Sequence, residues 1–280
     1  GHGGVNGDVA AVGEFLDFAP GSIEETTIGK DTPLHTAAAN NQLGVVKLLL
    51  DKNADTSALN EQGLTPLGAA AMAGHTQTIS FFLSRGVRID QPQSNRDTIL
   101  HKAIVKGSTV FWDELLRLGV NLNAVNANGM TPLHVATRSE QKSALKWLLS
   151  KGALQVPDSA GQTPLHYAAA ARKTDIMTIL LDAHADVAAK DKDGATPLHA
   201  AARAARPAAV DLLIKRGADV NVEDVQLRTP LHASSQLAER KTANDIQRRQ
   251  QIVSSLLENG ADVNARDAEG ATPLLIAARA

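Results

Sequence analysis

The sequence contains no cysteine. Disulfides, thiolate zinc sites and cysteine nucleophiles are therefore excluded. Aromatic residues make up only 3% of the chain, which leaves little for bases to stack on. Charge of neither sign dominates: 28 basic and 30 acidic residues give a formal net charge of −2. That balance gives no bulk argument for binding nucleic acid or a membrane surface. No apolar run approaches the roughly 18 residues needed to span a bilayer, and no secretory leader pattern opens the chain. Phosphate-binding GxxxxGK[ST] loops, GxSxG elbows, HExxH and strand-to-helix GxGxxG strings are also missing. The expectation is an intracellular, cytoplasmic protein with no membrane insertion and no cofactor, and a nuclear location stays open.

What the chain does have is repetition. The string Thr-Pro-Leu-His starts at Thr32, Thr131, Thr163, Thr196 and Thr229, with weakened copies at Thr65 (TPLG), Thr98 (TILH) and Thr272 (TPLL). Successive starts are 33, 33, 33, 32, 33, 33 and 43 residues apart. A fixed period of this size marks a stacked array of small modules. Residues 191–221, DKDGATPLHAAARAARPAAVDLLIKRGADVN, show one module whole. Thr196 can cap a helix, and Pro197 suits the first helical position, where its missing N–H costs nothing. Ala201 and Ala202 let neighbouring helices approach closely. Val210, Leu212 and Leu213 make one apolar face on a second helix over residues 208–215, which Gly217 ends. Asp193-Gly194 is a turn dipeptide before the next Thr-Pro. Helices of two to three turns do not persist alone in water, so stacking must stabilise them.

The motif, its small-residue pair and the closing G-A-D-V-N resemble the ankyrin repeat family across nearly the whole chain. The resemblance implies an all-α solenoid whose repeats of about 33 residues are helix–turn–helix units joined by β-hairpin turns. Residues 1–31 are expected to form an N-terminal cap or partial repeat, with Val9, Val12, Phe15 and Leu16 on one helical face. Residues 32–271 hold seven repeats, and 272–280 a partial eighth without a second helix to cover it, an ending that suggests a fragment of a longer protein. Gly68 replaces the His of the second repeat, so a hydrogen-bonding ring is lost there. Arg96 and Leu227 stand where a hairpin normally has Gly, and a reshaped turn is expected over residues 93–97. The seventh repeat carries ten extra residues near 238–250, rich in helix formers, with Thr242 and Asp245 spaced as a capping box. They are read either as an extended helical hairpin or as a solvated charged loop.

The histidines at the fourth motif position (His35, His101, His134, His166, His199 and His232) invite a metal reading. Neighbouring repeats stack about 10 Å apart, however, and ligands sit about 2 Å from a shared zinc, so the rings cannot converge. The resemblance gives them a structural role, bonding neighbouring backbone. Asp191, Asp193, Asp219 and Asp262 recur at repeat spacing in the hairpins, which fits turn chemistry rather than a paired acid and base. No catalytic or metal-binding residue is assigned, and the chain is not expected to be an enzyme.

In this family the hairpin tips and first helices line a concave groove that holds partners. Carried across by position, Leu64, Met72, Met130, Val135 and Tyr167 form an apolar track. Lys102, Lys106, Arg138, Arg203 and Arg228 form a basic stripe, with Arg96 and Arg172 nearby. Apolar anchors beside fixed cations suit an acidic peptide, although ordinary solubilising charges would give the same pattern. The expected function is protein–protein recognition by a monomer, with no nucleic acid partner. The alternative is the targeting arm of a larger enzyme (a ligase, kinase or host-directed effector) whose catalytic domain lies outside these residues.

Overall fold

The structure, a computed structural model, describes residues 9–107, 109–235 and 242–279. It divides into two compact units, Gly1–Ala127 and Asn128–Ala280. In the first, α1 (Val9–Phe18) and a 3-10 turn (Pro20–Glu24) precede the helix pairs α2 (Pro33–Ala39) with α3 (Leu43–Asp51), α4 (Pro66–Met72) with α5 (Thr76–Ser84), and α6 (Ile99–Lys106) with α7 (Thr109–Arg117). In the second, α8 (Pro132–Arg138) pairs with α9 (Lys142–Ser150) and α10 (Pro164–Ala170) with α11 (Asp175–Asp182). There follow α12 (Pro197–Arg203) with α13 (Pro207–Lys215), α14 (Pro230–Ser235) with α15 (Ala243–Glu258), and finally α16 (Pro273–Arg279). No strand forms among the described residues.

Where its fourth position is His, the Thr-Pro-Leu-His string starts a first helix by a closed set of bonds. Thr32 is the N-cap, and its Oγ1 accepts the His35 backbone N–H at 3.3 Å. The His35 ring completes the exchange: Nδ1 accepts the Thr32 backbone N–H at 3.2 Å. This is a capping box in which His takes the place of the usual Glu, and it recurs at Thr98, Thr131, Thr163 and Thr196. Thr98 caps just as well with Ile99 in place of Pro, because the bonds come from Thr and His.

The far side of the same ring ties one repeat to the next. Nε2 of His35 meets the Leu64 carbonyl at 2.9 Å, that of His134 the Gln162 carbonyl at 3.0 Å, and that of His199 the Arg228 carbonyl at 2.8 Å. A backbone N–H can only donate and a carbonyl can only accept, so the bonding fixes each ring as the neutral tautomer protonated on Nε2. With both nitrogens occupied by protein groups, these rings have the structural role expected of them.

The loops between repeats hold themselves in turns too short for a ladder. Asp191 N–H donates to the Ala195 carbonyl at 2.9 Å, and the Asp191 carboxylate accepts the backbone N–H groups of Asp193 and Ala195. Asp219 and Asp262 accept from Asn221 and Asn264 in the same manner. Adjacent tips are joined by single backbone bonds, such as Val225 N–H to the Asp193 carbonyl at 2.9 Å. The cores are formed by Leu, Ile and Val from both helices of each pair, with Phe82 and Trp112 the largest fully buried side chains of the first unit.

Three expectations need amendment. On α1 only Leu16 of the expected face is buried, and Phe15 is 71% exposed; among the described residues no first helix precedes α1. At Gly68 the lost imidazole is replaced. Gln93, only 4% exposed, reaches back from the next hairpin and its Oε1 accepts the Thr65 N–H at 2.7 Å. A Cβ on Gly68 would stand 2.4 Å from that oxygen, so the small residue and the glutamine occupy one site together. In the seventh repeat the extra residues lengthen the second helix. α15 has 16 residues and starts at Thr242, whose side chain accepts the Asp245 N–H. The rest of the insertion, 238–241, lies outside the described residues. The turn before α6 is reshaped as expected, with Asn95 at φ 57° and Arg96 at φ 55° inside a 3-10 turn.

Candidate functional site

In the first unit the hairpin tips and first helices border a cleft of about 770 Å³. Four of the ten groove residues named from sequence, Leu64, Met72, Lys102 and Lys106, line it together. Its apolar surface also includes Ala69 and Val105, the latter 55% exposed. Sequence position alone did not single out Val105, although an exposed β-branched residue on the groove side of a first helix was the available signal. The two cations are not free. Lys102 Nζ donates to Ser94 Oγ at 2.8 Å and lies 3.6 Å from Asp97. Lys106 Nζ donates to the Met72 carbonyl at 3.1 Å, capping the C-terminal end of α4. Asp31 and Asp97 also border the cleft, so its charge is mixed rather than basic.

In the second unit, Arg138, Tyr167 and Met130 come together, but as a self-contained cluster. The Arg138 guanidinium lies 5.8 Å from the Tyr167 ring centre, within cation–π range, and its Nη1 donates to Met130 Sδ at 3.3 Å. The Tyr167 hydroxyl donates to Asp158 at 2.6 Å, and the ring meets His134 edge-on at 5.9 Å. Burial, then this bond to Asp158, pushes the Tyr167 phenol up to about 12. Met130 is 3% exposed, so it underlies the surface rather than forming part of it. Val135 is half-buried on α8. Arg203 is exposed at the end of α12. Arg228 lies 3.6 Å from the buried carboxylate of Asp267, which offsets its charge locally.

The histidines His134, His166 and His199 are each held below their ordinary range. Burial is the largest cause, and bonds to the carbonyls of Gln162, Ala195 and Arg228 oppose it only in part. These rings are structural links behind the groove and are neutral where they sit.

Profiles described as ankyrin repeats match residues 5–93, 69–157, 154–224, 186–246 and 243–280. The chain belongs to the ankyrin repeat family. It is 30% identical over 185 residues to the putative E3 ubiquitin-protein ligase XBAT31 of Arabidopsis thaliana, covering 65% of this chain and 36% of that protein. It is 31% identical over 165 residues to inversin of Mus musculus, covering 56% of this chain and 15% of that one. The chain thus spans little more than a third of one relative and far less of the other. Among solved structures, the ankyrin repeat domain of Bcl-3 aligns at 26% identity with a TM-score of 0.64, covering 81% of this chain and 98% of that one. The human ASB11 ankyrin repeat domain aligns at 27% identity and a TM-score of 0.62, over 76% and 91% of the two chains. Among the described residues, no helix is long and apolar enough to cross a membrane.

Proposed function

We propose that this chain is a non-catalytic recognition scaffold that holds a peptide or domain of another protein on its concave face. The observation that carries the reading is the cleft of the first unit, where Leu64, Met72 and Val105 offer apolar anchorage beside Lys102, Lys106, Asp31 and Asp97. Helices locked by capping boxes and inter-repeat bonds lose little freedom on binding. Because carboxylates accompany the lysines, the partner segment presents apolar anchors first, with charges of both signs at its edges. In the second unit, taken by itself, Arg138 and Arg203 are the candidate contacts. The scaffold works as a monomer, on protein rather than nucleic acid, inside the cell.

The test is an affinity pull-down with the purified chain, followed by titration of the recovered partner. Met72→Glu is expected to weaken binding by tenfold or more, since burying even an uncharged polar group without a partner costs about 2–7 kcal/mol and a carboxylate costs more. Arg138→Glu with Arg203→Glu tests the second-unit contact. Unchanged affinity in all of these variants, with helicity intact, would remove the groove from consideration.

A second reading, the targeting arm of a larger enzyme, is favoured by the partial coverage of XBAT31, which is named as a ligase. The full reading frame decides it: catalytic motifs outside these 280 residues support the arm, and their absence favours a free-standing scaffold.

A further inference from the structure

A cluster of arginines, among them the Arg172 named above beside the basic stripe, lies on the second unit where α10 ends and α13 begins. Arg172 follows α10 directly after its C-cap Ala171, Arg206 is the N-cap of α13, and Arg248 lies in the second turn of α15. Helix α13 packs against α15 and touches α10, so the three share one edge. Two backbone bonds fix the arrangement. Arg206 Nε donates to the Ala170 carbonyl at 3.0 Å, and Arg249 Nη1 donates to the Ser234 carbonyl at 2.7 Å. Burial first, then the charges of Arg172 and Arg248, make Arg206 hold its proton less tightly than a free guanidinium. The like charges therefore sense one another. Asp245 opposes them 3.7 Å from Arg248, but it also accepts the Thr242 hydroxyl at 2.7 Å. Among the described residues, Asp245 is the one carboxylate shown against the four guanidiniums. Arg172 is exposed and has no ion-pair partner among the described residues.

The enlarged seventh repeat is what completes the cluster. The other second helices of this unit, α9, α11 and α13, have nine, eight and nine residues, against 16 in α15. A nine-residue helix ending at Glu258 would begin at residue 250 and would leave out Arg248 and Arg249.

We propose that this edge is a second interaction surface, independent of the groove, which takes an extended acidic segment of a partner protein. Repeats stack about 10 Å apart, and a chain in the polyproline-II conformation has three residues per turn and rises about 3.1 Å per residue, so every third side chain faces the same way. Carboxylates three residues apart therefore step from one repeat's arginine to the next, each suited to the forked guanidinium. Nucleic acid fits less well. The second unit has two aromatic residues, Trp147 and Tyr167, and Tyr167 is already engaged by Asp158 and Arg138. Bases find no free stacking platform, and Asp245 would repel a continuous phosphate backbone.

The test is fluorescence anisotropy on the whole chain at about 50 mM NaCl, where exposed charges still act at a distance. The probes are a fluorescein-labelled 12-residue peptide with Glu at every third position among Gly and Ser, and the same peptide with Gln. The Glu peptide is expected to bind and the Gln peptide not to. R172Q with R248Q should weaken the Glu peptide by about tenfold, whereas R172K with R248K should retain most of the binding at unchanged helicity. Met72→Glu, the groove variant, should leave this binding unchanged. Failure of the Glu peptide to bind would overturn the proposal, as would equal binding by R172Q with R248Q. A 12-nucleotide single strand that binds more tightly and loses affinity in the same variant would also overturn it. None of these outcomes alters the pull-down result on which the groove stands.

Discussion

Gly68 and Gln93 form a pair whose replacement can be worked through from the structure. In Gln93→Ala the Thr65 N–H, buried with its whole residue, loses the acceptor that sits 2.7 Å away. Stranding one buried donor costs about 1–3 kcal/mol. In Gly68→His the new Cβ falls 2.4 Å from Gln93 Oε1 and 3.2 Å from its Cδ. The glutamine must then leave or the helix must shift, an overpacking cost of about 1–3 kcal/mol. If the two sites were independent, the double variant would lose about 2–6 kcal/mol, the sum of those ranges. The structure instead has the introduced imidazole entering the space that Gln93 vacates and accepting the Thr65 N–H, as His35 accepts that of Thr32 at 3.2 Å. The double variant should therefore lie within about 1 kcal/mol of the parent, a coupling large for any contact pair. Urea unfolding measures it. Trp147→Phe leaves Trp112, 1% exposed on α7, as the single indole reporting on the neighbouring repeat. A double variant as unstable as the sum of its singles would show that Gln93 does not stand in for the imidazole.

Three further outcomes can be checked. His134, His166 and His199 have folded pKa values below the ordinary 6.5, so the unfolded chain takes up protons first as pH falls. Their contribution is complete above about pH 6.5 and is lost as pH drops through the lowered folded values; a thermal midpoint unchanged between pH 7.5 and 5 would contradict this. Leu227 sits at φ 58° where the equivalent Gly194 has φ 74°, so Leu227→Gly should stabilise the chain by about 1 kcal/mol in urea melts. Gly194→Ala should destabilise it by more than that, because its Cβ would also stand 2.9 Å from the Val225 nitrogen; equal effects of either sign would refute the turn argument. Tyr167 is the only tyrosine, so phenolate absorbance reports it alone and should rise near pH 12. A midpoint near 10 with native circular dichroism would mean that Asp158 does not hold the phenol.

Much of this was legible in the period. Thr, Pro, Leu and His each act within four residues of one another, so a linear reading finds those helix starts; at Thr242 it finds a cap but leaves helix and loop both open. The compensation at Gly68 was not legible. A missing ring at Gly68 and an odd hairpin at residues 93–97 look like separate departures in sequence, because register assigns a residue to its own repeat and says nothing of what reaches across. The groove shows the same limit. Register picks out Leu64, Met72, Lys102 and Lys106, which border one cleft. It could not see that Met130 is buried, or that Asp267 lies beside Arg228, since those depend on side-chain packing between repeats.

The imidazole link has a bearing on how such chains change length. What each histidine seeks in its successor is a main-chain oxygen, a group that every amino acid supplies. A junction between two modules is thus indifferent to the identity of the newcomer, provided that the register is kept. Duplication or excision in whole periods leaves every seam chemically whole, and even the ten extra residues near 238–250, which fall between His232 and its partner, leave the bond to the Ala271 carbonyl in place at 3.1 Å.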